Sequence, residues 1–148
     1  MNKYLALLVL SVTSVAAFSG CNKDNGPVSY SMRATINGVA FTGTSISVQQ
    51  NNSVLNITGG SAPGANGSGT YPSIELYIAN YAGKGTYSLV SSANNGAYID
   101  SGGLFSAAIS VYGTVIITCA SPDIVGTFSF TALDSTKVTK GSFTSKQP

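Results

Sequence analysis

Hydrophobic residues recur at alternate positions over most of the chain, and turn-forming residues punctuate them. Tyr30, Met32, Ala34 and Ile36 alternate with Ser31, Arg33 and Thr35, the pattern of a half-buried strand. Asn37-Gly38 supplies the positive-φ pair of a two-residue hairpin, and Val39 and Phe41 carry the return strand. The apolar phase slips near Gly43, since Ile46 and Val48 take the opposite parity; a bulge or a break accounts for it. Asn51-Asn52 marks a turn before Leu55 and Ile57. After the small-residue loop from Ser61 to Gly69, Ile74, Leu76 and Ile78 alternate with Glu75 and Tyr77. Gly83-Lys84-Gly85 turns the chain into Tyr87 and Leu89. Ser91 to Gly96 reads as a turn-rich loop before a short segment at Tyr98. Asp100 to Gly103 turns again. Phe105, Ala107, Ile109 and Val111 share one face, and Thr114 to Cys119, apolar on both sides, reads as a central strand. Ser121-Pro122-Asp123 turns into Phe128, Phe130 and Ala132, and Asp134-Ser135 into a last strand around Val138 to Phe143.

Roughly ten short strands with turn signals between them, and no helical periodicity after residue 21, predict an antiparallel all-β domain. Varied strand lengths and irregular loops favour a β-sandwich, immunoglobulin-like or jelly-roll-like. A small β-barrel is the alternative.

The first residues depart from this pattern. Leu5 to Cys21 is an apolar run behind a single basic residue, Lys3, and ends in Phe18-Ser19-Gly20-Cys21. At about 15 residues the run falls short of the ~20 that a membrane-spanning helix needs. Its charge at the N-terminal end and its small residues before Cys21 are those of a cleaved signal. Phe18 to Cys21 resembles a bacterial lipobox, with Phe18 where Leu is usual. That resemblance implies diacylglycerol in thioether linkage on Cys21 and attachment to a membrane through it. The expected division is a lipoprotein signal peptide over 1–20, a lipid-anchored tether over 21–28 and one all-β domain over 29–146.

Cleavage before Cys21 leaves 128 residues, enough for one domain with a true core. Only 11 of those 128 are charged, six basic and five acidic, so solubility falls to Ser, Thr, Asn and Gly. A net charge near +1 gives no footprint for nucleic acid. With lipid on Cys21, Cys119 stands alone and reads as a small buried residue in phase with Val115 and Ile117. With Cys21 free, a Cys21–Cys119 bridge becomes conceivable in an oxidising compartment.

Chemistry is sparse. The chain has no histidine, which removes Ser-His-Asp and Cys-His nucleophile systems and His-ligated metals. Of the carboxylates, Asp24 lies in the tether, Asp100, Asp123 and Asp134 sit at turns, and only Glu75 lies inside a clear strand. No pair suited to glycoside hydrolysis and no calcium loop stands out. No catalytic residue, metal or cofactor is expected, and the protein reads as a non-enzyme. The candidate binding surface is Tyr77, Tyr81 and Glu75, where exposed tyrosines could stack on a glycan or a peptide.

Met32 to Phe41 (MRATINGVAF), Gly85-Thr86-Tyr87, Gly113 to Thr118 (GTVIIT), Val125 to Phe130 (VGTFSF) and Val138 to Phe143 (VTKGSF) form a familiar succession. On these the chain resembles small Bacteroidota lipoproteins that carry an all-β domain of unknown function. Lys140 stands where that family more often has Asn. The resemblance implies a fold and an outer-membrane location but no activity. Asp134-Ser135-Thr136 also resembles the O-glycosylation acceptor used in Bacteroidota, which would place a glycan on Ser135. Gly126 and Gly141 each stand two residues before a Phe; the missing side chain leaves room for a neighbouring ring, or marks a bulge.

The expectation is therefore a non-catalytic cell-envelope lipoprotein that binds a glycan or a protein partner. The alternative is a structural or accessory envelope subunit without a soluble ligand.

Overall fold

A computed structural model describes residues 21, 29–61, 72–90, 93–100 and 107–148. The expected signal at 1–20, the tether after Cys21, nearly all of the Ser61–Gly69 loop, and Leu104 and Phe105 lie outside the described residues.

Ten strands make up the domain: β1 (Ser31–Ile36), β2 (Val39–Gly43), β3 (Ser45–Asn51), β4 (Val54–Gly60), β5 (Ser73–Ile78), β6 (Gly85–Ser88), β7 (Asn94–Ile99), β8 (Ala107–Cys119), β9 (Asp123–Ala132) and β10 (Lys137–Lys146). All pairings are antiparallel, in the order β2-β1-β10-β9-β8-β7-β5-β4-β3, with β6 on β8. The sheet curls until it is nearly a closed barrel. The two ends of this order, β2 and β3, are joined through Thr44 alone. The phase slip near Gly43 is thus a corner, where the chain leaves one half of the sheet for the other. A Cβ on Gly43 would lie 3.1 Å from both the Gly59 carbonyl carbon and the Gly60 nitrogen, so a bare backbone lets the corner close.

The interior holds one face of most strands. Met32, Leu55, Ile57, Ile74, Leu76, Ile78, Leu89, Val115, Ile124 and Val138 are fully buried there, with Phe128, Phe130 and Phe143. Each such side chain contributes about 1.5–3 kcal/mol by leaving water. Asn37 (φ 48°) and Gly38 (φ 88°) form the expected hairpin turn, and the Asn37 Oδ1 also accepts the Lys137 N–H at 2.8 Å. Gly126 pairs directly with Phe143, and Gly141 with Phe128. A Cβ at Gly126 would meet the Phe143 ring at 2.6 Å, and one at Gly141 the Phe128 ring at 2.6 Å. Both glycines therefore make room for the aromatic ring of the facing strand. Gly141 also borders a bulge, because the register of β10 on β9 shifts between Val138 and Gly141.

That bulge explains position 140. Lys140 has φ 51°, in the left-handed region where Asn is far better tolerated than Lys. Lys140→Asn is expected to raise the unfolding free energy by about 0.5–1 kcal/mol, seen as a higher urea midpoint at unchanged slope. An unchanged or lower midpoint would mean that Lys140 gains something from its side chain that offsets the backbone.

Three expectations are corrected. β7 begins at Asn94, inside the stretch read as a loop, because it pairs with β5 from Ile78↔Asn94 onward and the Asn94 Oδ1 accepts the Ala79 N–H at 3.0 Å. Ile109 and Val111 point outward while Ser110 is buried, its Oγ accepting the Gly96 N–H at 2.9 Å. The cause is a register shift between Ser110 and Tyr112, which reverses parity before Val115 and Ile117 turn in. β8 is central in the pairing, but Ile116 on its outer face is exposed, so that strand is not buried on both sides.

Cys21 and Cys119 are joined in a disulfide, with Cα atoms 5.6 Å apart. This is the state open to an unmodified Cys21. A sulfur in a disulfide cannot also carry a lipid thioether, so the two fates of Cys21 exclude each other.

Candidate functional site

The parity reversal in β8 shapes a concavity at one end of the barrel. There the β1–β2 turn, the β9–β10 turn, the end of β7 and the start of β8 surround a cavity of about 910 Å³. That is within the usual range for small-ligand sites, about 300–1,000 Å³. Ile36 and Phe41, both buried, belong to the core and also line the cavity. Its rim is apolar and wet: Val39 is 71 % exposed, Ile109 53 % and Leu133 81 %. The Leu133 N–H donates to the Ile109 carbonyl at 2.9 Å, which fixes two of these side chains on adjoining strands. A bulge re-aims Ile109, and a turn residue presents Leu133.

The polar lining is arranged in closed pairs. The Tyr98 hydroxyl donates to Asp100 Oδ1 at 2.9 Å. Burial first, then the Asp100 carboxylate that accepts its hydrogen bond, push the Tyr98 phenol up to about 12, so it stays a donor at neutral pH. In the β9–β10 turn the Thr136 N–H donates to Asp134 Oδ1 at 2.9 Å and the Thr136 hydroxyl to Asp134 Oδ2 at 3.0 Å. Among the described residues no group of three or more His, Cys, Asp or Glu could hold a metal ion.

The structure does not assemble the tyrosine surface expected from the sequence. Glu75 and Tyr77 lie half-buried on the outer face of β5, as their phase predicts. Register aligns Tyr77 with Asn56 on β4 and with Asn95 on β7, and Asn56 with Gln49 on β3. Tyr81 is not part of this face. It is only 9 % exposed and belongs to the core, with its ring centroid 6.0 Å from that of Tyr87. β5 ends at Ile78, so strand parity does not carry over to position 81, and the Tyr81 N–H is drawn onto the Ser53 carbonyl at 2.7 Å. The Tyr81 hydroxyl is buried without a hydrogen-bond partner, and burial raises its pKa.

Ser135 is exposed in the β9–β10 turn with φ 69°, beside the cavity-lining Asp134. Cys21 lies at the other end of the barrel, bonded to Cys119 at the end of β8. Tyr30, where the chain enters the domain, is also at that end and donates to Asp123 Oδ1 at 3.3 Å. At about 3.3 Å per residue, β8 separates Cys119 from the rim residue Ile109 by about 30 Å. Sequence reasoning missed the cavity because its rim depends on the bulge in β8, and the alternation of Ile109, Val111, Val115 and Ile117 gives no sign of one.

Residues 29–146 match the domain of unknown function DUF6252, and the chain belongs to that family. No curated protein and no solved structure matches it. Among the described residues no helix is long and apolar enough to cross a membrane.

Proposed function

We propose that this member of the DUF6252 family is a non-catalytic binding module of the cell envelope, and that the end cavity is its binding site. One observation carries the reading: Val39, Ile109 and Leu133 stay in water around a concavity that nothing in the described chain fills. Exposed apolar side chains gathered around a hollow mark a place that something else covers.

The membrane part of the reading rests on the sequence before residue 22. The lipid on Cys21 would form a thioether with its sulfur and leave Cys119 as a thiol. Anchored there, in the outer membrane, the domain would be entered at the Tyr30 end, and the cavity at the opposite end would open away from the bilayer. A glycan on Ser135 would border the mouth.

The test uses the purified full-length chain and the neutral dye N-phenyl-1-naphthylamine, whose emission rises in apolar surroundings. One saturable site per chain is expected, together with its loss in Ala40→Trp, where a large ring fills the mouth from an exposed position. Melting of that variant should match the parent. Emission that rises without saturating, or saturable emission that Ala40→Trp leaves intact, would remove the cavity as the binding site.

A further inference from the structure

We infer that the end cavity selects amphipathic cations, molecules with an apolar body and an amine or other cationic head. The inference rests on reading this cavity as a binding site and adds the chemistry of what enters it.

The charge of the lining points one way. Among the described residues, Asp100 and Asp134 are its only ionisable carboxylates and no Lys or Arg lines it. The hydrogen-bonding capacity points the same way. The hydroxyl donors among the described lining residues are already committed: Tyr98 donates to Asp100, and Thr136 donates to Asp134. The Asn37 Oδ1 accepts the Lys137 N–H, and its side-chain N–H groups are donors beside it. A carboxylate has about four lone-pair positions. Asp134 accepts two hydrogen bonds and Asp100 one, so each keeps acceptor sites to spare. Among the described residues the lining therefore offers a ligand negative charge and acceptor sites, with donors only from the Asn37 amide and no positive charge.

The aromatic lining agrees. Phe41 and Tyr98 are among the lining residues, and a cation over an aromatic face is attracted by its quadrupole. An anionic headgroup would meet two like charges with no cation to balance them. A neutral alkyl chain would gain the apolar walls of Ile36, Ile109 and Leu133 but nothing from the carboxylates, which are exposed to water. An apolar body with a cationic head uses both parts of the lining.

Decylamine, decanoate and decanol share one alkyl body and differ in the head. Calorimetric titration of the full-length chain at neutral pH is expected to rank decylammonium at least about tenfold tighter than decanoate, with decanol between them. Asp100→Asn should weaken decylammonium about threefold and leave decanol unchanged, since an exposed ion pair contributes modestly. Glu75→Gln on the outer face of β5 should change nothing. Raised salt should narrow the gap between the two charged heads. Equal affinities for all three heads, or a preference for decanoate, would overturn the cation selectivity and leave the binding-module reading standing. Failure of all three to bind, with no saturable dye site either, would overturn both.

Discussion

Replacing Gly113 by alanine is expected to lower the unfolding free energy by about 3 kcal/mol or more, at the upper end of what overpacking a core costs. Phe130 on β9 is paired directly with Gly113 on β8, and its ring reaches on to Gly96 on β7. The two glycines form a trough under one aromatic side chain. They differ in what a methyl group would strike. At Gly113 the new Cβ would lie 2.4 Å from the Phe130 Cβ and 2.5 Å from the Ser129 carbonyl oxygen, atoms fixed by the ladder itself. At Gly96 it would meet only the ring, at 2.7 Å and 2.8 Å, and a ring can swing or be shortened. Gly96→Ala should therefore cost less, about 1–3 kcal/mol, and Phe130→Leu in the same chain should recover part of that. The recovery should be absent for Gly113→Ala. Urea unfolding of the two single and two double variants reads all of this. A Gly113→Ala chain as stable as the parent, or one less affected than Gly96→Ala, would show that β8 and β9 can part at this point and that the trough is not what holds Phe130.

Reduction of the Cys21–Cys119 bridge should have an effect of similar size. The two cysteines are 98 positions apart, so the bond closes a loop that spans most of the chain. Restricting an unfolded chain over about 100 residues contributes up to about 4.7 kcal/mol in the loop-entropy account, and removal of native bridges costs about 2–5 kcal/mol in practice. For protein made without lipid, a reducing agent should lower the urea midpoint accordingly. Cys119→Ala should start from the lower midpoint and be insensitive to the reductant. Lipid-anchored protein should behave as Cys119→Ala does toward reductant, and should show one titratable thiol on unfolding. A midpoint that does not move on reducing the unlipidated chain would mean that the bridge joins segments already held close in the unfolded state. A lipidated chain that loses stability on reduction would overturn the mutual exclusion at the Cys21 sulfur.

Local signals are legible where a short stretch decides its own geometry. Asn37-Gly38 makes its hairpin because both residues accept positive φ. The phase slip at Gly43 marks a real corner because parity changes only at a bulge or a break. Gly126 and Gly141 do make room for rings, although the rings belong to the facing strands and only pairing could show which. Lys140 stands out only against the Asn that the resembling family more often has, and its positive φ supplies the reason. The candidate site is less legible. Tyr77 and Glu75 lie on the face their alternation predicts, but Tyr81 is past the end of β5 and turns into the core. Asp100 and Asp134 were legible only as turn formers, because neither is near the other in sequence and only the barrel brings them to one end.

What the sequence determined by itself is the class of the domain, its strand succession and most of its inward face. These follow from period-two alternation and turn chemistry, which act over a few residues. Tertiary structure alone decided the near-closure of the sheet, the parity of Ile109 and hence the cavity rim, and the approach of Cys21 to Cys119. Each depends on residues far apart in the chain meeting at a bulge, a corner or a bond. Local pattern carries no information about which distant strand will be there.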